Sequence, residues 1–171
     1  MSRRTCALRR RKNQNGNTLV EMALCLLPTL ALITFFFDLS FAMFSWATLQ
    51  NAVREGTRYA ITFQTASGLG QDASIKQIVS TNSMGLVSSA SSLIQVNYFT
   101  QVAPTTAIAS PGGNLPGNIV QVSVQGYSLT WMIPLSGTIA NPYRGTSPAT
   151  IAVYSSDVLG SYPAGVNSVS R

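Results

Sequence analysis

From Met22 to Phe37 the chain reads MALCLLPTLALITFFF, 16 residues without a charge, and after Asp38 a second uncharged stretch, LSFAMFSWATLQNAV, runs on to Val53. Such a run predicts one long helix. A membrane span needs about 20 apolar residues at ~1.5 Å each, a length that Leu19 to roughly Ser40 supplies with Glu21 and Asp38 near the two faces. Asp38 would lie ~25 Å up the helix from Glu21, at the outer interface, where a carboxylate needs no function. Arg3, Arg4, Arg9, Arg10, Arg11 and Lys12 precede the run and supply six of the 11 cations. They predict a cytoplasmic N-terminus and put the chain beyond about residue 45 outside the membrane.

With that head set aside, Arg54, Arg58, Lys76, Arg144 and Arg171 balance five anions, so the body is neutral. A basic footprint for nucleic acid is therefore missing from the folded part, and no nucleic-acid partner is expected. The chain has no histidine, and its two cysteines are Cys6 in the head and Cys25 in the apolar run. Beyond residue 67 the only side-chain carboxylates are Asp72 and Asp157. General acid–base or nucleophilic chemistry lacks a tuned base there, and neither zinc nor calcium finds a set of ligands. The expectation is a nonenzymatic protein with no cofactor and no metal.

Several fates of the N-terminus compete. A signal peptidase site needs small residues after the apolar core, but the chain reads DLSFAMFSW there, with aromatics in their place. Ser2-Arg3-Arg4 is similar to a twin-arginine export signal, yet Thr5-Cys6-Ala7-Leu8 lacks the expected apolar residues after the pair. An uncleaved anchor explains the head and the span but not the residues between them. There Gly16 is followed by four uncharged residues and then Glu21, immediately before the apolar helix. This spacing resembles the type IV prepilin signal.

The resemblance implies cleavage by a membrane-embedded prepilin peptidase between Gly16 and Asn17, on the cytoplasmic side. Glycine leaves the backbone open to a protease, and a bond just outside the membrane is cut without extracting the span. Residues 1–16 would be the leader, leaving a mature chain of 155 residues. Cleavage would create an amine at Asn17, four residues before Glu21 and on its helical face, and an ionisable group at the edge of a span is normally partnered. In pilins the equivalent glutamate pairs with the free N-terminal amine, commonly a neighbouring subunit's, which implies an assembly role for Glu21.

Two segments narrow the resemblance, VEMALCLLPTLALITFFFDLSFAMF and LQNAVREGTRYAITF. They are similar to the TadE-like pseudopilins, the minor pilin-like subunits of the Tad/Flp type IV pilus system. The chain keeps Glu21, Pro28, Asp38, Gln50, Arg54, Glu55, Gly56, Arg58, Tyr59 and Ala60 of that pattern and has Met22 where an aromatic is usual. The likeness covers about residues 16 to 65. It implies a pseudopilin required for assembly of an adhesive pilus in the bacterial inner membrane, with prepilin peptidase, other pilins or pseudopilins, the assembly platform and inner-membrane lipid as partners. A pseudopilin of a type II secretion system would share the leader but not REGTRYA. An uncleaved, signal-anchored periplasmic binding or scaffold protein is the rival from another class, and a membrane-tethered enzyme stands last.

The fold expected is α+β and pilin-like. Leu39, Ala42, Trp46, Leu49, Val53, Gly56, Ala60 and Phe63 recur at three- and four-residue steps, so a helix over 17–67 would carry an apolar stripe onto a folded domain at 68–171. Gly68 and Gly70 would stop it. Glu55 and Arg58 form an exposed pair, Gly56 admits another element, and Arg54, Glu55 and Arg58 together are a candidate partner contact.

Gln71 to Thr81 reads as a short second helix with Asp72 as its cap. Leu93 to Phe99, with Ile94, Val96 and Tyr98 on one face, Ile119 to Ile133 with a bulge or bend at Gly126, and Ala149 to Tyr154 read as strands of a small antiparallel sheet under the long helix. The stretches 101–118 and 136–148 and the tail from Ser155 read as mobile surface, since nothing in them is charged enough to select a ligand.

Overall fold

The computed structural model describes residues 15–110, 112–129, 149–166 and 168–171, with side chains from residue 18 onward. The leader up to Gln14, the strand continuation through Trp131 and Ile133, and the loop from Ser136 to Pro148 lie outside the described residues.

Helix α1 spans Asn15–Ile61, 47 residues or about 70 Å. Its end falls six residues before the expected one, at a turn that the glycines do not make. Phe63 takes a positive φ of 53° and donates its N–H to Ala60 O at 3.2 Å. This carries its ring into the core, 4.5 Å from the ring of Tyr162. Burying an aromatic outweighs the ~1 kcal/mol cost of that backbone conformation. The Gln71 side-chain amide also donates to Ala60 O at 3.1 Å, giving this helix-end carbonyl a second donor.

Helix α2 spans Gln71–Asn82. Its N-cap is Gly70, with no side-chain cap, so Asp72 does not have the capping role expected of it. The first N–H of the helix is taken instead by Ser170 O at 2.8 Å. Strands β1 (Ile94–Phe99), β2 (Ile119–Ser128) and β3 (Thr150–Val158) form an antiparallel sheet in the order β1-β2-β3. Ile94 faces Val124 and Tyr98 faces Val120 across β1 and β2, and the register to β3 shifts between Val124 and Tyr127, around Gly126 at φ 76°. The bulge thus falls where the broken alternation put it. The third strand runs four residues past its expected end at Tyr154.

The core is what those periodicities demand. Leu49, Val53 and Ala60 of α1 and Ile75 and Val79 of α2 close over Ile94, Val96, Tyr98, Val120, Val122, Val124 and Val153 of the sheet. Gln50 Nε2 and Thr57 Oγ1 donate to the Tyr154 and Ser155 carbonyls, tying the helix to β3. The architecture is α+β and pilin-like: a long helix, bare in its first half, whose second half covers a three-stranded sheet with a second short helix.

The segment from Ala107 to Asn118 and the C-terminal tail are built into this unit rather than laid over it. Ile108 N donates to Tyr98 O at 2.8 Å, covering the outer edge of β1, and buried Asn114 donates to Gln71 Oε1 and Val169 O. The tail reaches Asp72 through Arg171.

Candidate functional site

The residues singled out at the N-terminus all lie on α1. Gly16 and Asn17 are in its first turn, and Glu21 follows one turn after Asn17, ~6 Å higher and on the same face. Glu21 is exposed among Leu19, Val20, Met22 and Leu24, all exposed as well. Within that apolar field a carboxylate has strong reason to bind a cation. Farther up, the hydroxyls of Thr29, Thr34 and Ser40 turn back onto the helix, donating to Cys25 O, to Leu30 and Ala31 O, and to Phe36 O. These three hydroxyls are thereby satisfied within the helix, as a lipid-facing helix would require. The segment from Thr18 to Ile61 is long and apolar enough to cross a membrane, and its most apolar part is not buried.

Asp38, expected at the outer membrane interface, is 4% exposed, a burial that the expectation did not include. Ser45, two turns on, is fully buried with no partner for its hydroxyl, and Leu49 follows. At about 100° per residue, Asp38, Ser45 and Leu49 fall within about 40° of one another, and this is the line the domain covers. Leu39 and Trp46, counted in the stripe facing the domain, lie about 80–100° round from Asp38 and are exposed. From Leu49 onward the expected face is the buried one.

Around Arg54 the arrangement is simple. Arg58 Nη1 donates to Glu55 Oε1 at 2.9 Å in an exposed pair, worth a few tenths of a kcal/mol (~0.3). Arg54 is exposed beside it. Gly56 faces the other way, where a Cβ would come within 2.5 Å of Val79 Cγ2. The glycine is therefore what lets α2 approach α1. The outward charges and the inward glycine are interleaved on adjacent positions because the helix turns about 100° per residue.

A second cluster joins residues far apart in the sequence. Arg171 Nε donates to Asp72 Oδ2 at 2.8 Å, and its Nη1 donates to Gly112 O at 2.6 Å. Tyr98 donates its hydroxyl to Asp72 Oδ1 at 2.8 Å, and burial together with the Asp72 charge pushes its phenol well above the usual tyrosine value. Charge scarcity was the available signal, since Asp72 is one of two carboxylates after residue 67 and needs a cation if buried. The cluster fastens the tail to α2 and β1. Among the described residues no group of three or more His, Cys, Asp or Glu could hold a metal ion.

These features define an α+β fold built on one long helix, whose notable chemistry is charge placed along that helix. Residues 16–58, about a quarter of the chain, match the model of the family described as TadE-like protein. This segment is thus similar to the TadE-like family, and the match takes in Gly16, Glu21, Asp38, Arg54, Glu55 and Arg58 together. No curated protein and no solved structure matches the chain.

Proposed function

We propose that this protein is a minor pilin-like subunit of a Tad-type pilus assembly system. It is made with the leader 1–16, cut by a prepilin peptidase between Gly16 and Asn17, and held in the bacterial inner membrane by one span. Its N-terminus is cytoplasmic and its α+β domain lies outside. It acts by assembling with other pilins or pseudopilins on the pilus platform, supports surface adherence through the pilus, and catalyses nothing.

The observation that carries this reading is the position of Gly16 and Glu21 at the foot of a long helix, bare below and domain-covered above, inside the segment that matches the TadE-like family. Glu21 receives the Asn17 amine of an adjoining subunit. At the edge of an apolar span a carboxylate gains from such a cationic partner. REGTRYA, most of which falls inside the matched segment, favours a Tad-type system over a type II secretion apparatus. The reading is tested by replacing Glu21 with Gln in the native gene and measuring pili and surface attachment. Cleaved, stable protein with pili lost is the expected result; undiminished pili would remove the assembly role.

A further inference from the structure

The apolar surface of α1 continues past the level of Asp38. On the sides turned away from the domain Phe37, Leu39, Met43, Phe44 and Trp46 are 63, 44, 65, 51 and 54% exposed. Apart from Ser40, whose hydroxyl is taken by Phe36 O, the change to polar outward residues comes with Asn51 and Arg54, both exposed. Because Asp38 is buried, its charge does not mark where lipid must end. We infer that the lipid-embedded surface of α1 reaches Trp46 on the sides that the domain leaves bare, so that Phe44 and Trp46 form a collar at the domain-side interface.

Length supports this placement. From Leu19 to Trp46 the helix rises ~40 Å, more than the ~30 Å hydrocarbon core and close to the ~40–45 Å of a bilayer with its headgroup regions. Glu21 then meets one headgroup layer and Trp46 the other, the depth that amphipathic indole rings favour. Arg54, two turns above Trp46, is within reach of lipid phosphates along its flexible stem.

The shape of the exposed surface favours lipid over another helix. At about 100° per residue, Trp46, Leu39, Met43, Phe44 and Phe37 occupy about half of the circumference. One neighbouring helix covers a stripe of about 100°, whereas lipid wets every side that the domain leaves bare. The partner is therefore a phospholipid bilayer.

The inference rests on α1 being a membrane span, and the test separates the two. The full chain, with Cys6→Ser and Cys25→Ser, is placed in phosphatidylethanolamine/phosphatidylglycerol vesicles with a single cysteine at Leu27, Phe44 or Asn51. A membrane-impermeant maleimide should label the Asn51→Cys variant at least tenfold faster than the Phe44→Cys and Leu27→Cys variants. In a Trp131→Phe variant, nitroxide lipids should quench at least half of the Trp46 fluorescence. Rapid labelling of Phe44→Cys with Leu27→Cys protected would overturn the inference alone. So would a protected Phe44→Cys with unquenched Trp46, because protein would then cover the collar. Rapid labelling at Leu27→Cys would end the membrane-span reading as well.

Discussion

The guanidinium of Arg171 lies 4.5 Å above the ring of Tyr98 while its Nε donates to Asp72 at 2.8 Å. Three elements meet in this contact: the tail, the first turn of α2 and strand β1. The Arg171 side chain is 8% exposed, so removing either charge leaves the other poorly solvated. Arg171→Ala and Asp72→Asn are each predicted to destabilise the domain by about 3 kcal/mol. The double variant should lose much less than the sum, which chemical denaturation of all three proteins in detergent checks.

Tyr98 gives the same cluster a dependence on pH. Its folded-state pKa is raised by burial and by Asp72, so the folded chain keeps the phenol proton where the unfolded chain loses it. For such a group the contribution to stability is complete below the unfolded value of about 10 and declines as pH rises above it. Thermal melts between pH 8 and 11 should show Tm falling above pH 10. The part of the fall due to this group should disappear in Tyr98→Phe, which keeps the ring under Arg171 but has nothing to ionise.

Gly56 fixes how near α2 comes to α1. A valine there would drive its Cβ and methyls into Val79, whose branched side chain has little room to give, with Ile75 and Val122 also within 3.6 Å. Gly56→Val is predicted to destabilise by about 2–3 kcal/mol, read as a lower denaturation midpoint. Glu55→Gln, one position away on the exposed side, should change stability by less than about 0.5 kcal/mol.

Arg54 and Arg58 are exposed, and the Glu55–Arg58 pair contributes little stability. Reversing both arginines to glutamate is therefore predicted to leave the protein folded and membrane-bound while lowering pilus output at least tenfold. Wild-type piliation from normal amounts of the variant would make this cluster a solvated face and nothing more.

Local patterns carried much of the fold. The strand face of Ile94, Val96 and Tyr98, the bulge at Gly126, the Glu55–Arg58 pair and the packing role of Gly56 all follow from spacing within a few residues, which backbone geometry converts directly into a face. What could not be read depends on partners far along the chain. Asp72 and Arg171 are 99 residues apart, and no local rule brings them together. The burial of Asp38 is not legible locally, because most of its neighbours on the helix are apolar and periodicity does not say which side the domain will cover. The end of α1 is not legible from the glycines because it is set by the ring of Phe63, which packs on Tyr162, 99 residues on.

The most direct test of the account is the N-terminal sequence and intact mass of the membrane-extracted protein, from cells with and without the prepilin peptidase, together with a Gly16→Leu variant. The expected result is a chain that begins at Asn17 only when both the peptidase and Gly16 are present. An N-terminus at Met1 or Ser2 in every strain would contradict it and leave a signal-anchored binding protein.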